Sequence, residues 1–127
     1  MTASDVYRPP AVVAEAARTT IGRLFRDRAR ANAADIAVVD GDRSLTYGEL
    51  DGRVNQLANG LRGIGVGHGD RVAMLAQNRL EYVEVELAAA KLGAMTAAQN
   101  WRLADRELSH CLNLTTPKVI ICQADYA

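Results

Sequence analysis

No apolar run in the sequence approaches the ~20 residues that cross a bilayer; stretches of Val, Leu and Ala are broken every few positions by Arg, Glu or Lys. Nor does the N-terminus show the charged-then-apolar order of a signal peptide. Both absences lead to the expectation of a cytoplasmic protein without a transmembrane segment. There is also no charge of one sign to spare. Fifteen Lys and Arg balance 15 Asp and Glu, so nothing favours a nucleic acid or an anionic membrane as partner. Cysteine is scarce: Cys111 and Cys122 are the two, with no C-x-x-C pair and no histidine at metal-ligand spacing from both, which argues against a zinc site. Free cysteine is among the most buried residue types, so core packing is expected of both rather than redox or nucleophilic use.

What is present suits a folded domain. Hydrophobic residues make up 49% and charged residues 24% of 127 positions, and a chain of this size buries roughly two-thirds of the surface it exposes when unfolded. Residues 1–18 hold Pro9, Pro10 and many small side chains without a sustained apolar period, as a flexible arm would. From Thr20 the period becomes helical. Ile21, Leu24, Phe25 and Ala29 share one face while Arg23, Arg26, Asp27 and Arg30 lie elsewhere, predicting a helix that ends near Asn32. Ile36–Val39 and Ser44–Thr46, joined across Asp40-Gly41-Asp42, read as a β-hairpin.

Thr46-Tyr47-Gly48-Glu49 has the spacing of a capping box: the Thr46 hydroxyl accepts from a free backbone amide while Glu49 reaches back to the amide of Thr46. The helix it starts carries Leu50, Val54, Leu57, Ala58 and Leu61 on one face, with Gly63 and Gly65 as stops. Residues 71–76 read as a buried strand. Asn78 and Glu81 repeat the helix-start spacing ahead of a helix over Leu80–Leu92, closed by Gly93. Residues 94–98 form a further expected strand, 105–112 a helix and 118–122 a strand after Pro117. Such alternation predicts an α/β fold, with βαβ units around a mostly parallel sheet, flanking helices and one β-hairpin near the N-terminus.

Candidate chemistry is sparse. The glycine-rich stretch Gly63–Gly69 follows a helix and precedes a strand, the reverse of a phosphate-binding loop, and matches neither G-x-G-x-x-G nor the P-loop pattern, so a turn is the reading. His68 and His110 read as solvated, and Ser109 beside His110 is no catalytic pair because helical neighbours point apart. Glu81, Glu84 and Glu86 read as solvated helix charges. Trp101 and Arg102 follow a strand end, where open α/β sheets place ligand contacts; spacing alone leaves packing for Trp101 and solvation for Arg102 equally open.

Taken in order, Leu45-Thr46-Tyr47-Gly48-Glu49-Leu50, then Lys91-Leu92-Gly93-Ala94 leading to Asn100-Trp101-Arg102-Leu103, then the segment 117–123, resemble the opening region of the adenylate-forming superfamily, especially fatty-acid and related acyl-CoA synthetases. The resemblance spans roughly residues 21–127. It implies residues 19–127 as the N-terminal part of an AMP-binding domain, truncated before the ATP-phosphate loop. Thr46, Tyr47, Glu49, Leu50, Gly93 and Asn100 belong to its motifs, as framework rather than reaction centre. The resemblance also implies that Arg102 lies towards the CoA side, able to meet a CoA phosphate. Where many relatives have a proline and an aliphatic residue before the asparagine, this chain has Ala98 and Gln99.

The family's Ser/Thr/Gly-rich loop ending in Pro-Lys-Gly is absent, as are its later motifs. The parent enzyme implied by the resemblance uses ATP, Mg2+ and CoA to activate a carboxylic acid. This segment alone is expected to bind no cofactor, to hold no metal and to be inactive, with Arg102 as at most one CoA contact. Met1 reads as a genuine start and Ala127 as no recognisable terminus. A free-standing, non-catalytic α/β binding or interaction module is the alternative, and an unpaired edge at Val119–Cys122 leads to an expectation of self-association.

Overall fold

A computed structural model describes residues 11–126. The elements are α1 (Ala11–Ala16), α2 (Ile21–Ala31), β1 (Ile36–Asp40), β2 (Arg43–Thr46), α3 (Tyr47–Gly63), β3 (Arg71–Leu75), α4 (Leu80–Leu92), β4 (Met95–Gln99), α5 (Asp105–Thr115) and β5 (Val119–Cys122), followed by a 3-10 turn at Ala124–Tyr126. Ten residues of the expected arm lie outside the described region; part of the remainder is α1, a helix that no apolar period announced.

Strands β1 and β2 pair antiparallel, with Asp40 opposite Arg43, so that Gly41 and Asp42 form the turn. Gly41 adopts φ +58° there, a left-handed conformation that favours glycine. The other sheet is parallel, in the order β4-β3-β5. Because the chain steps to one side of β3 through α4 and to the other through α5, right-handed crossovers place these two helices on opposite faces.

The core follows the two structural periods. Leu50, Val54, Ala58 and Leu61 of α3 are buried, and they share one cluster with Val72 and Met74 from one face of β3, Ala76 just beyond its end, and Val85, Ala88 and Ala89 of α4. Burying a Val, Leu or Met side chain contributes about 1.5–3 kcal/mol, so this cluster outweighs any single polar contact in the chain. The capping box at the start of α3 forms as expected: Glu49 N donates to Thr46 Oγ1 at 3.2 Å, and Thr46 N to Glu49 Oε2 at 2.8 Å. Gly93 ends α4 at φ 69° and lies so close to His68 that a Cβ there would stand 2.8 Å from the imidazole Cδ2.

Helix α2 begins at Thr20, whose Oγ1 accepts from Arg23 N at 3.2 Å, but its packed face differs from the expected one. Gly22, Phe25 and Ala29 are buried, whereas Ile21 and Leu24 are 68% and 61% exposed. Gly22 sets the orientation, because its missing side chain lets α2 touch the backbone of α4 at Ala90 and Lys91.

The start of α4 also differs. Asn78 does not cap it; the N-cap position is Arg79, without a side-chain bond. Instead Asp40 Oδ2, on the hairpin, accepts from Leu80 N at 3.1 Å, placing a carboxylate at the positive end of the helix from 40 residues away in sequence. At the far end of the sheet Arg71 donates to the carbonyls of Gly69, Thr115 and Thr116 at 3.0, 2.8 and 2.9 Å, fastening the end of α5 to the start of β3.

Candidate functional site

Ligands of open parallel sheets sit beyond the carboxyl ends of the strands, and of the residues singled out by the sequence Asn100, Trp101 and Arg102 lie there, whereas Thr46, Tyr47, Glu49 and Leu50 start α3 and Gly93 precedes β4 at the opposite end. β4 runs through Gln99, one residue beyond its expected end. The Gln99 side chain is buried and donates to the Ala97 carbonyl at 3.0 Å. Asn100 then turns the chain, its Oδ1 accepting from Arg102 N at 3.0 Å. This fixes the backbone from which two neighbouring side chains project. Trp101 is half-buried and Arg102 exposed, and the Arg102 guanidinium carbon lies 4.4 Å from the centroid of the Trp101 ring, a cation–π contact.

Three further residues complete the arrangement, and none carries a local signal. Tyr126 stacks on Trp101 with ring centroids 5.9 Å apart and planes 26° from parallel. Its hydroxyl accepts from Gln77 Nε2 at 2.9 Å, and Gln77 N donates to Gln123 Oε1 at 3.3 Å. The segments following β3, β4 and β5 therefore meet in one cluster, beside a cleft of about 300 Å³ lined by Met74, Ile121 and Cys122 among others. No carboxylate among the described residues pairs with Arg102 in an ion bridge. The site offers an aromatic platform and an available guanidinium, the equipment to hold a planar group or a phosphate. Among the described residues it brings together no nucleophile and base.

The glycine-rich stretch is a turn between α3 and β3, as its context predicted, and the amides of Gly65, Gly67 and Gly69 are already used. Gly65 N donates to Arg62 O at 2.9 Å and Gly69 N to Gly93 O at 2.9 Å, while Gly67 N donates to Asp70 Oδ2 at 2.8 Å. Lys118 Nζ also reaches Asp70, at 3.1 Å. The Gly67 amide and Lys118 hold the Asp70 carboxyl below its ordinary range. A phosphate would meet the Asp70 carboxylate there, with the Gly65, Gly67 and Gly69 amides already bonded, so this loop does not fit one. Among the described residues no three His, Cys, Asp or Glu side chains group as metal ligands.

Several expectations need correcting. His68 and His110 are exposed, as anticipated. Of the three glutamates, only Glu86 is a solvated charge. Glu84 is buried and is gripped by Arg53 through both Nε and Nη2. Glu81 joins the hairpin to α4: Arg43 Nη1 donates to it at 2.7 Å and Arg79 Nε at 2.7 Å. Those guanidiniums, Arg43 foremost, hold the Glu81 carboxyl down to about 2. Cys111 is half-buried and Cys122 exposed, so neither packs in the core. The short strand β5 lies at the sheet edge and leaves its last side chain open.

Similarity to known proteins enters on this geometry. Residues 25–127 match the family model described as AMP-binding enzyme. Feruloyl-CoA synthase of an Amycolatopsis species is 43% identical over 100 residues, covering 79% of this chain and 20% of that protein. The medium/long-chain-fatty-acid–CoA ligase FadD6 of Mycobacterium tuberculosis is 33% identical over 108 residues, 85% of this chain and 18% of its own length. The chain thus spans about a fifth of the length of these relatives. The crystal structure of the N-terminal domain of FACL13 from Mycobacterium tuberculosis superposes with a TM-score of 0.82 at 36% identity, covering 86% of this chain and 28% of that one. Among the described residues no helix is long and apolar enough to cross a membrane.

Proposed function

Because the chain belongs to the AMP-binding enzyme family, we propose that it forms the N-terminal segment of an acid–CoA ligase. In that reaction a carboxylate attacks the α-phosphorus of ATP and releases pyrophosphate; the CoA thiol then attacks the acyl carbon and AMP departs. The observation that carries the reading is the superposition of this βαβ scaffold on the N-terminal domain of FACL13 at a TM-score of 0.82 with 36% identity. The acid is a fatty or related carboxylic acid; feruloyl-CoA synthase and FadD6, by their names, bracket an aromatic and an aliphatic acyl group.

Within such an enzyme this segment supplies framework. The occupied amides of Gly65, Gly67 and Gly69 leave the ATP phosphates and Mg2+ to be held by other parts of the parent. CoA is different. Arg102, exposed and without a carboxylate partner among the described residues, fits a CoA phosphate, and bound CoA would supply the accepting thiol. Residues 19–127 then form part of an AMP-binding domain, the segment before residue 19 contributes no chemistry, and the 127-residue chain alone is inactive. A cytoplasmic location accords with substrates such as ATP and CoA.

The test is the mass of the native polypeptide, together with its acid-dependent ATP–pyrophosphate exchange on ferulic acid and on medium-chain fatty acids. A native mass well above that of this chain, with exchange on one acid class, is the expected result. A native mass equal to that of this chain, with saturable CoA or protein binding and no pyrophosphate release, would replace this reading with the non-catalytic binding module.

A further inference from the structure

An exposed arginine on a strand-end loop samples many rotamers, and a ligand phosphate that captures it must first immobilise it. Arg102 is not in that condition. Its backbone amide is tied to Asn100 Oδ1 at 3.0 Å, and its guanidinium lies over the Trp101 indole at 4.4 Å. The indole is itself stacked on Tyr126, whose hydroxyl is held by Gln77, and the Gln77 amide is held by Gln123. Gln123 N donates in turn to Leu75 O, the last carbonyl of β3, at 2.9 Å. An unbroken series of contacts therefore runs from the central strand to one cation. No apolar core lies over this series: Tyr126 and Trp101 are each half-buried, and both stand outside the main hydrophobic cluster.

We infer that Trp101 and Tyr126 are positioning residues that hold the Arg102 guanidinium ready for a phosphate of CoA. The inference rests on the reading of Arg102 as a CoA contact. It adds that the affinity of that contact depends on two aromatic side chains that do not touch the cofactor.

The experiment compares steady-state KM values of the native polypeptide that carries this chain, with CoA, pantetheine, ATP and the acid varied in turn. Pantetheine brings the same thiol without the phosphates. Arg102→Gln is expected to raise KM for CoA about tenfold, the loss of a charge-assisted hydrogen bond at an open site. Trp101→Leu and Tyr126→Leu are each expected to raise it about two- to fivefold, the weight of an exposed cation–π contact, while Trp101→Phe, which keeps a ring under the cation, restores most of the affinity. KM for pantetheine, ATP and the acid should not move. If Arg102→Gln raises KM for CoA while both leucine variants leave it unchanged, the positioning role is refuted and the CoA reading stands. If Arg102→Gln changes nothing, both are refuted. A rise shared equally by CoA and pantetheine would show that the aromatic pair merely supports the fold, which also overturns the inference. Tyr126→Leu lies outside the core and decides the question should Trp101→Leu fail to fold.

Discussion

Gly22→Ala and Gly52→Ala should move stability in opposite directions, although both glycines are helical. At Gly52 an added Cβ meets nothing within 4 Å. The change removes the excess backbone freedom of glycine from α3 and should stabilise by about 0.5–1 kcal/mol. At Gly22 the added Cβ would stand 2.9 Å from Lys91 Cα and 3.1 Å from both Ala90 O and Lys91 N. Carbon atoms in good contact lie about 3.5–4.0 Å apart, so α2 would have to retreat from α4 by roughly 0.6–1 Å. All three obstructing atoms belong to the backbone, and no rotamer change relieves them. Overpacking of this kind costs about 1–3 kcal/mol, and the propensity gain is small because Gly22 lies in the first turn of α2. The net effect is a loss of about 1–2 kcal/mol, separating the two variants by about 2–3 kcal/mol. At about 4 °C per kcal/mol for a domain of this size, their melting temperatures should differ by roughly 8–12 °C, Gly52→Ala melting above the parent and Gly22→Ala below it. Parallel urea titrations should show shifted midpoints at unchanged slope. A Gly22→Ala protein as stable as Gly52→Ala would refute the close approach of α2 to α4.

Two further outcomes are expected. Glu81 is held from 4.5 down to about 2 by Arg43 and Arg79, and Asp40, Glu49 and Asp70 are lowered as well. Unfolded carboxylates therefore bind protons that the folded ones refuse, so this stabilisation is complete above about pH 5 and fades as pH falls towards 2. Glu81→Gln should destabilise at pH 7 and converge on the parent near pH 2; an equal deficit at both pH values in thermal melts would exclude the ion pairs as its cause. The uncharged edge strand β5, with Ile120 45% exposed, should make the isolated chain associate with itself in light scattering at rising concentration, and Ile120→Lys should suppress this. A parent chain that stays monomeric at high concentration would refute it.

The elements legible in the sequence are those whose cause is local. The Thr46–Glu49 box is complete within four consecutive residues, Gly93 ends α4 by its own left-handed conformation, and the α3 stripe repeats at helical spacing. The misread features depend on partners that no period announces. Glu84 falls among the polar positions of α4, yet Arg53, 31 residues earlier, neutralises it and lets it be buried. Asn78 has the right spacing to cap α4, but Asp40 arrives from the hairpin and takes the amide of Leu80. In α2 the side-chain period favoured Ile21 and Leu24, whereas contact was decided by Gly22, which has no side chain to count. The site divides in the same way. Trp101 and Arg102 were marked by their place after a strand, while Gln77 and Tyr126 reach them only because β3 and β5 lie side by side in the sheet.

The order β4-β3-β5 puts the earliest-synthesised of these strands in the middle. As the chain leaves the ribosome, β3 emerges with α3 already available to share its core cluster, and β4 joins it after a separation of 24 residues, Arg71 pairing with Met95. β5 must close twice that distance, 47 residues from Val72 to Val119, which costs only about 0.6 kcal/mol more in closure entropy. The sheet can therefore assemble from its centre outward in step with translation, each later strand finding β3 already made. The last strand to arrive takes one of the two outer edges of this sheet, opposite β4.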